Sequence, residues 1–238
     1  GTPNYDYLVS DNFLSPPGTE AYYSEKLLRL PETFQVIDSQ RPTSSRKATR
    51  ADHGLPDDAF VLCNFSQSFK IQPEMFAAWV RIVQRIPNAV LWLAQGPNGF
   101  EDNLRAQWAA AGLPPQRLIV SPRMPIDEHL ARIGLGDLFI DTFPYSSGAT
   151  ANDVLWAGVP LLALTGTTMV SRMAGSLLGA IGLPELVAAS HDDYVEKAVY
   201  CATHPDELAV LRSRLAAAKE ARSGYFDTPR FVRHLEDG

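Results

Sequence analysis

From Ala59 onward, short unbroken apolar runs alternate with longer amphipathic stretches. The runs are Phe60 to Phe65 (FVLCNF), Ala89 to Ala94 (AVLWLA), Leu118 to Ser121 (LIVS), Leu138 to Asp141 (LFID) and Leu161 to Leu164 (LLAL). They are continuous rather than alternating, which suits strands covered on both faces. Between them the spacing predicts helices over Pro73 to Arg85, about Phe100 to Ala111, and about Ala149 to Ala157. Pro73 suits a first helical turn, and Gly158 with Pro160 behind it is a helix stop. Strand–helix alternation of this kind predicts an α/β fold with a doubly wound, Rossmann-like parallel sheet. Before Ala59 the pattern is weaker. Tyr5 to Ser10 reads as a short strand, Glu20 to Leu30 has helical spacing, and Phe34 to Ile37 is a second short apolar run. Arg41 to Gly54 (RPTSSRKATRADHG) is polar and basic, and reads as a linker or exposed loop. Its Arg41, Arg46, Lys47 and Arg50 could bind an anionic partner, but a solvated loop is the preferred account.

Composition changes this picture little. The 238 residues, 45% hydrophobic and 20% charged, are those of a globular protein. A net charge of -6 argues against a nucleic-acid groove, and no run approaches the length of a membrane span. Cys63 and Cys201 lie in apolar segments and are expected as buried thiols in a reducing compartment, with the cytoplasm as the expected location. No histidine pair has metal-ligand spacing with a supporting Cys or carboxylate, so no bound zinc is expected.

Ligands of doubly wound folds sit beyond the carboxyl ends of the strands. The residues there are suggestive. After the LFID run comes a loop of small residues, Pro144 to Gly148, and then a helix start. Backbone N–H groups and the positive end of a helix dipole favour a phosphate there. Thr150 and Asp153, three apart, share a helix face. The threonine can add a hydroxyl donor, and the aspartate can accept two hydrogen bonds from a sugar diol. An ordinary strand-to-helix turn is the bland alternative. Lys70, after the first run, is placed to reach a phosphate as a point charge, or is a solvated surface lysine. Met124 and Pro125 precede a helix carrying His129 and Arg132, which could hold a planar base.

The chain resembles the C-terminal catalytic lobe of the O-linked N-acetylglucosamine transferases. The resemblance rests on LPDDAFVLCNFSQSFKI, PNAVLWLAQGP, GLPPQRLIVSPRMPIDEHLAR and DLFIDTFPYSSGATANDVLWAGVPLLALTGTTMVSRMAGSLLGAIGLPELVA, in matching order and spacing. It implies the C-terminal lobe of a two-lobed GT-B glycosyltransferase, with residues 1–54 joining the lobes and 55–238 forming the nucleotide-sugar-binding lobe. The N-terminal lobe and tetratricopeptide (TPR) repeats would lie upstream. The implied reaction is inverting transfer of N-acetylglucosamine from UDP to Ser or Thr of a protein acceptor, with no metal and no cofactor beyond the UDP-sugar. A GT-B site lies between two lobes, so this piece alone is expected to be inactive.

By position, the resemblance implies that Gln67 and Lys70 contact the UDP diphosphate, Lys70 stabilising the leaving group. Met124 would offer backbone groups to uracil, His129 would stack on or hold the base, and Arg132 would support it. Ala149 and Thr150 would occupy the phosphate-binding helix start, and Asp153 the ribose position. The best-known members carry a His followed by a threonine pair where this chain has Gly148, Ala149 and Thr150. The site would therefore rest more on backbone N–H groups. Two alternatives stay open: a different nucleotide sugar or acceptor, and a non-catalytic nucleotide-binding scaffold.

Overall fold

A computed structural model describes residues 4–41, 44 and 47–238. Its centre is a six-stranded, all-parallel sheet in the order β5-β4-β3-β6-β7-β8. The strands are β3 (Phe60–Asn64), β4 (Ala89–Ala94), β5 (Leu118–Ser121), β6 (Leu138–Ile140), β7 (Leu161–Leu164) and β8 (Val187–Ala188). The helices between and after them are α1 (Pro73–Arg85), α2 (Phe100–Ala110), α3 (Ile126–Ile133), α4 (Ala149–Trp156), α5 (Met173–Ala180), α6 (His191–Thr203), α7 (Pro205–Glu220) and α8 (Thr228–Glu236). The unbroken apolar runs are indeed covered on both faces: β4, β6 and β7 are buried almost throughout. In α1 the buried residues Met75, Phe76, Trp79, Ile82 and Val83 follow helical spacing and form one core-facing stripe. Strand β8, two residues long, carries too little pattern to have been read from the sequence.

The strand order decides where a ligand can sit. From β3 the chain winds outward through β4 to β5, then returns to place β6 on the other side of β3 and winds through β7 to β8. The loops after β3 and β6 therefore diverge from neighbouring strands and leave a crevice at this switch point.

Before β3 the structure departs from the periodicity. Glu20 to Leu30, read as helical, is a short 3₁₀ turn (Glu20–Tyr22) followed by strand β2 (Lys26–Leu30). β2 pairs in parallel with β1 (Tyr7–Asp11) in a separate two-stranded sheet. Pairing with β1 supplies main-chain hydrogen bonds that override local helical spacing, as tertiary context does for short segments. Phe34 to Ile37 forms no regular element. This N-terminal part is tied to the main sheet's helices through Asp11, which accepts from Ser176 Oγ at 2.5 Å and from Phe34 N at 2.8 Å. Of the basic cluster, Arg46 lies outside the described residues. Arg50 is not simply solvated: it bonds Asp137 at 2.9 Å and the Ala59 carbonyl at 2.8 Å. Both cysteines are buried and unbonded to each other, and burial raises both thiol pKa values, that of Cys201 to about 11. No helix among the described residues is long and apolar enough to cross a membrane.

Candidate functional site

The loop after β6 is built around Asp141. Its carboxylate is fully buried and accepts from Ser146 Oγ at 2.7 Å and from Ser147 N at 3.0 and 3.1 Å. Ser146 Oγ in turn accepts from Ala174 N at 3.0 Å, which joins the loop to α5. The Tyr194 hydroxyl donates to the Asp141 carbonyl at 2.9 Å. Burial pushes the Asp141 carboxyl pKa upward, and the Ser147 and Ser146 hydrogen bonds oppose it. The loop after β3 is fixed to it: Asn64 Nδ2 donates to the Ile140 carbonyl at 2.7 Å, and the Ser66 and Ser147 hydroxyls lie 3.1 Å apart.

This scaffold brings the expected residues into two adjoining groups. In the first, Lys70 leans onto the β6 loop. Its ammonium lies 3.8 Å from the Tyr145 ring centroid and 3.4 Å from the Ser146 carbonyl oxygen. Burial lowers the Lys70 pKa, and the Asp141 carboxylate opposes the shift. Helix α4 starts beside this loop, with Gly148 at its N-cap and no side chain capping its first N–H groups. Ala149 is exposed and Thr150 half-buried on that first turn. Donors left open at a helix start beside an ammonium are suited to an anion. Gly148 is buried, and a Cβ there would fall 2.5 Å from Met173 Cε. A larger side chain at 148 thus requires the flexible end of Met173 to move.

The second group lines a cleft of ≈190 Å³ that includes Phe65, Gln67, Met124, His129 and Arg132. Arg132 is buried. Its Nη1 donates to the Pro122 carbonyl at 2.7 Å, and its Nε donates to His129 Nδ1 at 3.0 Å. A guanidinium has no lone pair to accept with, so His129 Nδ1 must be the acceptor and Nε2 must carry the proton. Burial, then the Arg132 and Arg41 charges, lower the His129 pKa to about 4. His129 is therefore a neutral ring with one N–H to offer, packed edge-on against Phe65 at 5.3 Å. Gln67 is exposed and accepts from Arg123 at 3.1 Å. A larger groove, ≈600 Å³, lies away from all these residues along α6 and α7, lined by charges of both signs.

Asp153, on the second turn of α4, is ion-paired with Arg41. Burial raises its pKa and Arg41 partly offsets the shift. The sequence reading missed this partner, as it missed Asp141, Tyr145 and Arg123. A basic residue in a linker carries no local sign of what it folds onto. Asp141 was more accessible: an Asp ending a strand before two serines is a pattern in which the carboxylate can cap its own loop. Among the described residues, no cluster of three or more His, Cys, Asp or Glu could hold a metal ion.

Comparison with known proteins decides the kinship. The model of glycosyl transferase family 41 matches residues 39–235. The chain belongs to this family. It is 38% identical over 242 residues to the probable UDP-N-acetylglucosamine–peptide N-acetylglucosaminyltransferase SEC of Arabidopsis thaliana, covering 99% of this chain and 25% of that protein. To the Caenorhabditis elegans UDP-N-acetylglucosamine–peptide N-acetylglucosaminyltransferase it is 36% identical over 196 residues, covering 82% of this chain and 17% of that protein. The chain thus spans a quarter or less of these two relatives. Among solved structures it superposes on a Thermobaculum terrenum O-GlcNAc transferase mutant with a TM-score of 0.82 and 29% identity, over 98% of this chain and 44% of that one. The pneumococcal O-GlcNAc transferase GtfA, solved with UDP and GlcNAc, shares the fold at a TM-score of 0.61 and 13% identity. The fold of this family-41 chain is the parallel α/β lobe of a GT-B glycosyltransferase, as the resemblance implied.

Proposed function

We propose that this family-41 chain is the nucleotide-sugar-binding lobe of an inverting transferase that moves N-acetylglucosamine from UDP to Ser or Thr hydroxyls of proteins. The observation that carries this reading is the meeting of the β3 and β6 loops, which sets Lys70 against the loop that leads into the open start of α4, while Phe65 to Ser68 of the same β3 loop line the cleft of the neutral His129. The acceptor hydroxyl oxygen would attack the anomeric carbon while the bond to the diphosphate breaks, UDP departing with the bonding electrons and the hydroxyl proton passing to a diphosphate oxygen or to water. Lys70 and the α4 N–H groups would take up the charge that grows on the leaving oxygen, so no metal is needed. Gln67 would add a polar contact to the diphosphate. The Nε2–H of His129 and the backbone of Met124 would read uracil, with Arg132 holding the imidazole in its tautomer. Asp153 would accept from the ribose hydroxyls. Residues 1–54 would join this lobe to an N-terminal lobe that completes the acceptor side, with TPR repeats further upstream and a reducing, cytoplasmic location.

The test is a screen of the full-length protein with UDP-GlcNAc, other UDP-sugars and dTDP-sugars, read by mass spectrometry of a Ser/Thr peptide and by nucleotide release. Transfer from UDP-GlcNAc, with UDP binding better than ADP or GDP, is expected. Preference for another sugar would reassign the donor. Binding of UDP without turnover of any donor would favour a scaffold, a reading to which the lost side-chain donors at Gly148 and Ala149 lend weight.

A further inference from the structure

Arg41 belongs to the stretch that reads as a linker, yet it does not behave as a solvated residue. Its guanidinium donates to Asp153 Oδ1, and the two side chains keep only 13% and 19% of their surface in water. The chain just before it is pinned onto the same helix. Gln35 Nε2 donates to Asn152 Oδ1 at 2.6 Å, and the Tyr225 hydroxyl donates to that same oxygen at 3.0 Å. Ile37 N reaches the Tyr225 carbonyl at 3.4 Å, and Thr228 Oγ1 donates to the Ile37 carbonyl at 3.0 Å. These bonds hold residues 35–37 against α4 and deliver Arg41 to its carboxylate. The guanidinium is also near enough to His129 to help depress that imidazole's pKa. The cation is therefore seated on the carboxylate assigned to the ribose and acts electrostatically on the imidazole assigned to the base.

A carboxylate grips a ribose diol through both oxygens, one to each hydroxyl, and a guanidinium seated against one of them crowds that hydroxyl's approach. Here Oδ1 is taken and its charge is countered by a group of the same chain. A nucleotide that takes both oxygens has to displace that group first, and its apparent Kd is the intrinsic Kd divided by the fraction of molecules in which the pair is open. We propose that Arg41 is a built-in competitor for the ribose of the nucleotide: it latches Asp153 in the empty site and is released when the donor binds. The proposal rests on the nucleotide reading of the site given above. It makes Arg41 a determinant of donor affinity that acts against binding, although a cation near a diphosphate would ordinarily act in its favour.

The experiment is calorimetry on the full-length protein with UDP, uridine and inorganic diphosphate, for wild type, Arg41→Ala, Arg41→Gln, Asp153→Asn and the Arg41→Ala/Asp153→Asn double variant. Opening a latch closed in most molecules should tighten UDP and uridine by roughly tenfold in both Arg41 variants. Diphosphate, which has no ribose, should bind as in wild type. With Asp153→Asn already present, Arg41→Ala should bring no further gain. Arg41 variants that bind UDP equally or more weakly would overturn the latch, and so would a gain that persists without the Asp153 carboxylate. If UDP binds wild type and Arg41 changes nothing, the latch alone fails. If neither UDP nor uridine binds any of the proteins, the nucleotide site fails and the latch with it. Melting temperatures of the two Arg41 variants, which differ in side-chain size, separate a released latch from a collapsed segment.

Discussion

Replacing Asp141 tests whether the loop that carries the helix start is held by one buried carboxylate. In Asp141→Ala, the Ser147 N–H and the Ser146 O–H lose their acceptor, and both serines are fully buried. Each buried donor left without a partner costs about 1–3 kcal/mol, so the pair costs about 2–6 kcal/mol. Against a total stability of about 5–15 kcal/mol for a domain, this is severe. An opposing effect also exists, because burial disfavours the Asp141 charge. Asp141→Asn sets the two against each other. An amide oxygen placed where Oδ2 stands can still accept from both Ser146 Oγ and Ser147 N. Its NH₂ then takes the place of Oδ1, where it faces the Ser147 N–H instead of accepting from it, a buried donor opposed to a donor. If the hydrogen bonds dominate, Asn costs about 1–3 kcal/mol and Ala more. If charge burial dominates, Asn is at least as stable as the wild type at pH 7. Urea denaturation at pH 7 measures the order, and calorimetry with UDP shows whether binding falls with loop order. Asp141→Ala unfolding within about 1 kcal/mol of wild type would refute the account. The pH dependence has a definite sign. The folded pKa lies above the ordinary 3.8, so the folded state holds this proton after the unfolded chain has released it. Asp141's contribution is full below 3.8 and declines as pH rises through the folded value, and Asp141→Asn should remove that decline.

Lys70→Ala in the full-length protein should lower kcat on the order of 100-fold to 1000-fold with little change in melting temperature; turnover at the wild-type rate would remove its leaving-group role. Asp153→Asn should mainly raise KM for the donor, because the ribose is bound alike in ground and transition states; a change in melting temperature with unaltered KM would leave it only a helix-dipole role. His129 should titrate near 4 by NMR, below the ordinary 6.5, so as pH falls from 6.5 to 4 the unfolded chain takes up its proton first and the folded state loses stability. A midpoint near 6.5 would show that the ring is neither buried nor beside the Arg132 charge.

Strands β3 to β7 were legible because a strand covered on both faces reads as a near-continuous apolar run, which FVLC and AVLWLA supply locally. Helix α1 was legible to the residue, since Pro73 opens it and its apolar stripe is unambiguous. Glu20 to Leu30 was not, because five residues of β2 depend on a partner strand rather than on their own pattern. Lys70, His129, Arg132 and Asp153 could be named from family likeness, but not their states. That His129 is neutral with its proton on Nε2 follows from a guanidinium folded against Nδ1.

What the sequence by itself determined is the strand–helix alternation from β3 to β7 and the chemistry available at those strand ends, because apolar periodicity and side-chain type are local properties. Tertiary structure alone decided the strand order that opens the crevice between β3 and β6, and the buried Asp141 that shapes the loop there. It also decided that Arg41, 112 residues before Asp153, closes on its carboxylate. The strand order and the Arg41–Asp153 pair join groups far apart along the chain; the Asp141 bonds are local in sequence, but their energy, like that of the ion pair, depends on burial that removes the water that would otherwise satisfy both partners.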